Sequence, residues 1–479
     1  MFDVLIIGAG VVGALTAREL SRYKLSVCLV DKDYDAGCGA SRANSGIVHA
    51  GFDAKVGTLK AKLNVEGCLM MPKVAEELDV EYKNTASIVV CMAEEDMPAL
   101  QELYERGKIN GVKNLEIVDR ERLRQMEPNI SDKAVAALYA PDAGIVSPYE
   151  LAIAAGENAV ANGADYRFGF KVTSIEKKGE GYVVSDGNET IEARYVVNSA
   201  GMHSDDIARM TGDCDFEIIA RRGEYMLFDK KVTKCINNVI FTLPTKNGKG
   251  ILVAPTADGN LLIGPNARPV EKGNVETTPE GLEEIHKGAL KMIPSLPVLR
   301  NVIRSFAGQR PTPSTGDFII RMSKDYPHVL QLAGIESPGL ASSPAIAVYA
   351  VNMLKEAGLA LEPREDFNPL RQSPAYFRSL PNDKKAEVIK QNPAYGKIVC
   401  RCERVSEGEI VAAINCPMGA RSVDGVKRRT RAGMGRCQGG FCSPYIVEML
   451  AREMGIPFEE VTKFGGDSYI NVGKTKEEI

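Results

Sequence analysis

An excess of charge of either sign is what this sequence lacks most plainly. Its 59 lysines and arginines nearly balance 63 aspartates and glutamates over 479 residues, leaving a formal charge of −4. The chain therefore carries no global electrostatic footprint for nucleic acid, and any basic patch must be local. Cysteine is also sparse: eleven in 479 residues is far below the density of a disulfide-stapled scaffold, and the odd total favours reduced thiols or metal ligands over bridges. No uncharged apolar run reaches the roughly 18 residues that signal a membrane span, and the nearest candidate, 345–354, is too short. The start, Met1-Phe2-Asp3-Val4-Leu5-Ile6-Ile7, has no positively charged leader region and reads as a buried first strand rather than a signal peptide. Neither internal repeats nor low-complexity tracts occur. A globular, soluble, cytoplasmic protein is expected, with 44% hydrophobic residues to fill one or more cores. Peripheral docking on a membrane through a partner stays open.

What is present begins with one βαβ unit. An apolar strand over 4–7 runs into Gly8-Ala9-Gly10-Val11-Val12-Gly13, a helix to about residue 22, and a second strand over 26–30 that ends at Asp31. A parallel sheet follows from that unit. Strand-like segments recur at 182–185, 193–198, 225–228, 250–253, 261–264 and 329–332 among helical stretches, so the class is α/β with an added antiparallel part. Ser147-Pro148-Tyr149-Glu150 combines an N-cap, a first-position proline and a capping-box acid ahead of an alanine-rich stretch, which predicts a helix ending near Gly163. Between about 361 and 395 lie Pro363, Pro369, Pro374, Pro381 and Pro393 with many charges and little periodicity. That is linker composition, and a separate C-terminal domain should start near 396.

In the glycine turn, Gly8 permits the tight bend, Gly10 lets the backbone approach a pyrophosphate, and Gly13 lets helix pack closely on strand. The helix N-terminus then receives negative charge. Asp31 follows 23 residues after Gly8, where a carboxylate can bond a ribose hydroxyl, so the unit predicts a dinucleotide site. The turn does not choose between NAD and FAD. No second such fingerprint occurs, so one site has to hold the redox cofactor.

Near the C-terminus, Cys400-Arg401-Cys402 is followed by 34 residues, Cys437, four more residues and Cys442. Four thiolates are what a [2Fe–2S] cluster needs; structural zinc and unligated thiols are the alternatives, although a one-residue gap is unusual for zinc. Gly433, Gly435, Gly439 and Gly440 would let backbone N–H groups approach the sulfurs. Cys442 precedes Ser443-Pro444, read as an N-cap and first-turn proline whose helix dipole would favour the thiolate. Ser406-x-x-Glu409 reads as a capping box. Eight basic and four acidic residues lie between Cys400 and Cys442; this local surplus could offset a cluster's charge, dock an acidic partner or form a solvated face. Cys416 has no motif position, and cysteines 28, 38, 68, 91, 214 and 235 are expected to be core thiols.

Asp31-Lys32 followed by Ala40-Ser41-Arg42-Ala43-Asn44-Ser45-Gly46-Ile47-Val48-His49-Ala50-Gly51 resembles the flavin-facing loop of the D-amino-acid oxidase-like family of FAD oxidoreductases. Val196-Val197-Asn198-Ser199-Ala200-Gly201 resembles that family's return strand beside FAD, Val172 matches the residue that meets the adenine, and Gly334-Ile335-Glu336-Ser337-Pro338-Gly339-Leu340 resembles its last FAD segment. The resemblance covers about the first 360 residues. It implies FAD, bound by Gly8, Gly10, Gly13, Asp31, Lys32, Ser41, Asn44, Ser45, Gly46, Val172, Ala200, Gly201, Gly334, Gly339 and Leu340. The implied fold is a Rossmann-like FAD-binding domain from 1–85, 147–210 and 305–360, with a discontinuous α+β substrate domain from 86–146 and 211–304. After a linker over 361–395, residues 396–479 resemble the small bacterioferritin-associated-ferredoxin-like (BFD-like) [2Fe–2S] domain. The resemblance rests on Cys400-x-Cys402-Glu403-x-Val405-x-x-Gly408-Glu409-Ile410 and the run from Lys427 to Gly439. It implies a cluster on Cys400, Cys402, Cys437 and Cys442.

FAD takes a two-electron hydride and a [2Fe–2S] centre one electron at a time, so the pairing implies a dehydrogenase that exports electrons to an acceptor on a partner subunit. The order of domains resembles the catalytic-subunit family of bacterial anaerobic glycerol-3-phosphate dehydrogenases, which implies oxidation of glycerol 3-phosphate to dihydroxyacetone phosphate. His49-Ala50-Gly51-Phe52, Gly57-Thr58-Leu59-Lys60-Ala61-Lys62 and the Ser337-Pro338-Gly339 turn look more like L-2-hydroxyglutarate dehydrogenases of the same superfamily. A 2-hydroxy acid, an amine or amino acid, and a non-catalytic electron relay are the alternatives. A small anionic alcohol needs a base for its hydroxyl proton and a cation for its anion. His49, in the flavin-facing loop, is the candidate for a catalytic or flavin-tuning role. His203 is a weaker candidate, and His286 and His328 read as structural. Arg310 in Phe306-Ala307-Gly308-Gln309-Arg310-Pro311 matches the arginine of the family's Gly-x-Arg-Pro motif, and its planar fork suits carboxylate or phosphate. Arg222 and Lys60 read as solvated charges.

Overall fold

An apolar run with no polar alternation belongs in a strand covered on both faces, and Val4, Leu5 and Ile6 are fully buried in the strand Phe2–Ile7. The structure, a computed structural model, describes residues 1–244, 250–473 and 476. Phe2–Ile7 pairs in parallel with Val27–Asp31 on one side and Thr190–Asn198 on the other. Asp165–Phe168 and Val329–Ala333 extend this parallel core at its two edges. Thr190–Asn198 serves two further neighbours: its first half pairs antiparallel with Gly181–Ser185 and its last residues pair in parallel with Val329–Ala333. The hairpin Ser174–Lys178/Gly181–Ser185 and the strand Ile319–Met322 complete the eight-stranded sheet. One face is covered by helices Val11–Leu20, Leu59–Glu77, Pro148–Ala161 and Gly339–Glu356, the other by Phe170, Val172, Ile175 and Tyr182.

A second, nine-stranded and mostly antiparallel sheet is built from strands between 87 and 140 and between 218 and 313, with helix Pro279–Met292 packed on it. The α/β class with an antiparallel part therefore holds. Its spine is the pair Ile218–Phe228 and Val302–Pro313. The strand expected over 225–228 is thus eleven residues long, and the one expected over 250–253 is Leu252–Pro255. Val302–Pro313 went unexpected because Gly308, Pro311 and Pro313 read as loop residues; long-range pairing supplies what local propensity withholds. Helix Pro148–Ala161 forms with Ser147 as N-cap, but that serine's side chain makes no capping bond, so the expected box is absent.

Residues 361–395 are packed rather than a free linker. Arg371 Nε donates to Glu157 Oε2 at 2.7 Å, the Asn158 and Asn162 amides donate to the Asn368 carbonyl, and Asn382–Gln391 is a helix. Proline and charge conceal periodicity in this stretch, yet its polar groups are paired with helix Pro148–Ala161. Beyond it, helices Glu407–Asn415, Val423–Thr430 and Ser443–Met454 enclose a small core. The Ser406/Glu409 capping box is complete. Cys442, and not Ser443, is the N-cap of the last helix.

The basic run at 427–431 is neither a solvated face nor aimed outward. Arg429 is fully buried: its guanidinium spans both Asp35 oxygens at 2.9 Å, donates through Nε to Glu157 at 2.9 Å, and reaches the Met418 carbonyl at 2.6 Å. Arg428 adds a bond to Asp35 at 2.7 Å. Burial would raise the Asp35 carboxyl, but the Arg429 and Arg428 charges outweigh it and hold it at about 2. Arg431, whose backbone is left-handed (φ 68°), bonds Asp258, Glu403 and Asn260. The basic run is thus the seam between the C-terminal helices and the rest of the chain. Among the described residues, no helix is long and apolar enough to cross a membrane.

Arg429→Met leaves two buried carboxylates short of their cation and should cost about 3–5 kcal/mol, against about 0.5 kcal/mol or less for exposed Arg421→Ala, read from urea unfolding followed by circular dichroism. Because the folded-state pKa of Asp35 is depressed, its contribution is present above about pH 4 and lost as pH falls towards 2; an unfolding midpoint that stays level across that window would contradict this assignment.

Candidate functional site

The glycine turn is held by close contacts that exclude side chains. Gly8 has φ +105°, and a Cβ there would lie 2.4 Å from the Ser199 carbonyl oxygen; a Cβ on Gly13 would lie 1.9 Å from the Gly8 oxygen. Asp31 accepts from the N–H of Ala9 at 2.7 Å and of Asp33 at 2.9 Å, so its carboxylate braces the turn, and burial pushes its pKa up to about 6. Ser41 Oγ accepts from the Val11 N–H at 2.9 Å at the first turn of the helix. Asn44 closes its own loop, accepting from the Gly46 N–H and donating to the Ala40 and Ser41 carbonyls.

These elements border a cavity of about 410 Å³ between the two sheets. Gly8, Gly10, Asp31, Lys32, Ser41, Asn44, Ser45, Ala200 and Gly201 line it together with His49, Arg310, Gly339 and Leu340. Gly13 and Gly334 stand behind it in close packing, and Gly46 borders a neighbouring cavity. Val172 is a core residue packed with Ile7, Val30 and Phe170 and does not reach the cavity. The ring of His49 lies 5.6 Å from that of Phe241. Arg310 stands beside the phenol of Tyr225, whose pKa burial raises against the opposing Arg310 charge; Tyr225 in turn stacks on Phe306 at 4.9 Å. The cavity thus joins an imidazole, a guanidinium and a phenol beside a glycine turn and a helix start.

Two residues read as solvated charges are engaged instead. Lys60 bonds Glu336 at 2.8 Å and the Gly316 carbonyl at 3.0 Å. Arg222 is buried, 3.1 Å from Glu224 and 2.8 Å from Asn274. His203 lines the cavity with Nδ1 3.0 Å from Asp206, whereas His328 packs its ring, tilted, against that of Tyr195 away from it and His286 sits on helix Pro279–Met292. Tyr225, Phe241 and Glu336 also line the site and escaped the reading of the sequence. Tyr225 opens the strand expected over 225–228, and only the pairing of that strand with Val302–Pro313 sets it beside Arg310.

The C-terminal thiols form two pairs that cross between the halves of the motif. Cys402 and Cys437 sulfurs are 3.7 Å apart, close to the about 3.8 Å between two sulfurs on one tetrahedral ion at metal–sulfur distances of about 2.3 Å. Cys400 and Cys442 form the other pair, whose contact lowers the Cys400 pKa and raises that of Cys442. N–H groups of Gly433 and Glu403 face the Cys400 sulfur, and those of Phe441 and Gly439 face Cys437. Among the described residues, no three His, Cys, Asp or Glu side chains converge on a single ion position; two pairs are the donor set for two irons, two thiolates each. All eleven cysteines are free. Cys416 lies 3.2 Å from Glu157, and Cys214 is exposed rather than a core thiol.

A family profile described as "FAD dependent oxidoreductase" matches residues 3–353, and one described as "BFD-like [2Fe-2S] binding domain" matches 398–452. The chain belongs to the FAD-dependent oxidoreductase family. Over its full length, and all of the relative's, it is 48% identical to a glycerol 3-phosphate dehydrogenase of Caloramator mitchellensis. It is 36% identical to a glycerol 3-phosphate oxidase of Mycoplasma genitalium over 77% of this chain and 97% of the relative. Among solved structures, the dithionite-reduced L-α-glycerophosphate oxidase of Mycoplasma pneumoniae with FAD bound superposes with TM-score 0.73 at 32% identity, covering 77% of this chain and 98% of that one. This FAD-dependent oxidoreductase thus has FAD and a [2Fe–2S] cluster as its cofactors, and the clash-limited glycine turn and the paired thiols suit them.

Gly8→Ala puts a Cβ against the Ser199 carbonyl at a left-handed φ. It should destabilise the turn by more than about 1 kcal/mol and lower the flavin retained per chain, measured as visible flavin absorbance relative to protein.

Proposed function

We propose that this FAD-dependent oxidoreductase oxidises glycerol 3-phosphate to dihydroxyacetone phosphate and passes the electrons through its [2Fe–2S] domain to an acceptor on a partner subunit. The observation that carries the reading is the convergence of His49 and Arg310, from distant segments, in the cavity opened by the glycine turn. The full-length likeness to the Caloramator dehydrogenase supports the substrate. When bound, FAD supplies the two-electron acceptor and the cluster a one-electron one.

The chain's own residues supply the rest. The Arg310 fork, steadied by Tyr225, binds the phosphate. His49 takes the hydroxyl proton as hydride leaves the same carbon, so the alcohol becomes a ketone. Phe241, Leu252 and Pro265 form an apolar wall that keeps water from this centre. The glycine turn, Asp31, Lys32, Ser41, Asn44, Ser45, Ala200, Gly201 and the 334–340 segment hold FAD; Cys400, Cys402, Cys437 and Cys442 hold the cluster. Cys402 is exposed, so a cluster held there would be within reach of an acceptor on the partner. In this reading the FAD domain combines 1–85, 147–210 and 305–360, and 86–146 with 211–304 caps it. Eleven free thiols suit a reducing compartment, and we place the protein in the cytoplasm.

Anaerobic addition of glycerol 3-phosphate should bleach the flavin and then the cluster bands. L-2-hydroxyglutarate or an amino acid acting alone would overturn the substrate, and a dithionite-reducible flavin that none of them bleaches would make the chain a relay. His49→Asn should slow flavin reduction by about 10²–10⁴-fold with KM little changed. Arg310→Lys should raise KM by about tenfold or more, since a point charge replaces a bidentate fork.

A further inference from the structure

A second cavity, also about 410 Å³, lies on the far side of the flavin-facing loop and is closed by the C-terminal helices. The two cavities share the flavin-facing loop, with Arg42, Asn44 and Ser45 lining both, and are parted where Tyr225, on the cofactor cavity, stacks at 13° on Phe306, on this one. Five cations border it against two carboxylates. Arg428 is matched by Asp35, Arg431 by Asp258 and Glu403, and Asp424 by Lys463. That leaves Arg42, Arg304 and Lys427, none of which has a carboxylate within ion-pair distance among the described residues; Arg304 donates only to the Gln438 side chain, at 3.2 Å. The rest of the lining is mixed: Ile145, Leu227, Leu262 and Phe306 are apolar, and Ser45, Ser147, Thr256, Asn260 and Thr277 are polar.

Arg42 and Arg304 are exposed and Lys427 is half-buried; three cations without a carboxylate partner facing one cavity suit an anion of more than a single charge. The apolar part of the lining, Phe306 with Ile145, Leu227 and Leu262, suits a body attached to that anion. We propose that this cavity is a second anion site, which takes an organic phosphate with its phosphate on Arg42, Arg304 and Lys427 and its apolar part on Phe306. The ligand is separate from the substrate at Arg310. Once bound, it joins the flavin-facing loop and strand Val302–Pro313 to helix Val423–Thr430, and so ties the two redox domains together. The inference concerns a different cavity from the proposed reaction and does not rest on its substrate.

The surroundings of Lys427 set the pH dependence. Burial and the charge of Arg304 push its pKa down to about 8; Arg428 and Lys463 act in the same direction and Asp424 opposes them. Only the protonated amine binds an anion strongly, so affinity should fall as pH rises through 8.

Phenyl phosphate and inorganic phosphate, titrated calorimetrically into the holoenzyme, test this site. Phenyl phosphate should bind one per chain, more tightly than inorganic phosphate. Lys427→Gln and Arg304→Gln should each weaken it by about tenfold, and Arg310→Lys should leave it unchanged. Lys427→Arg, which keeps its charge, should retain binding and remove the loss above pH 8; this arm stands even if the glutamine variants unfold. The site is refuted if there is no saturable binding, if folded Lys427→Gln and Arg304→Gln proteins bind like the parent, or if phenyl phosphate is displaced by glycerol 3-phosphate and lost in Arg310→Lys.

Discussion

The fully buried guanidinium of Arg429, shared between Asp35 and Glu157, is the contact on which the two-part architecture depends. Placing a cation and two carboxylates away from water is costly, and it is tolerated because nearly every lone pair and N–H has a partner: Arg428 on Asp35, Arg371 on Glu157, the Met418 carbonyl on Arg429. A charge network of this kind has few alternative solutions. It sets helix Val423–Thr430 at one position on the FAD domain, and with it the loop that carries Cys437.

That placement has functional weight because the two redox centres lie on opposite sides of one seam. Arg431 continues the seam to Asp258 and Glu403, and Glu403 is the neighbour of Cys402 in the chain. Arg436 with Asp229 and Lys230 with Glu403 add pairs at its edge whose cations are exposed. Exposed pairs contribute little to stability; the buried ones locate the cluster domain.

On the flavin side the constraint is steric rather than electrostatic. Gly8 and Gly13 let a strand, a turn and a helix approach within distances that no side chain permits, and Asp31 and Ser41 hold the backbone N–H groups of the turn in place. The antiparallel sheet supplies the other wall. Arg310 and Tyr225 come from separate strands, 85 positions apart in the chain, that become neighbours through the long pair Ile218–Phe228 and Val302–Pro313.

The glycine turn, the paired cysteine motifs and the capping box at Ser406 were legible in the sequence because each depends on spacing within a few residues, and local geometry follows from local covalent structure. The same holds for the first strand, whose unbroken apolar run admits few other fates. Val302–Pro313, the packed stretch 361–395, and the partners of Arg429, Lys60 and Arg222 were not legible. Glycine, proline and charge mark loops and solvated faces when neighbours along the chain are all that is known; hydrogen bonds and ion pairs to residues far away in sequence change their meaning. The sequence by itself determined the cofactor classes and the spacing of the glycine turn and of the two cysteine pairs. Only the tertiary structure decided that the basic run faces inward, that the thiols pair across the motif, and that Tyr225 joins Arg310, because charge and hydrogen-bond satisfaction are settled by what folding brings within about 3 Å.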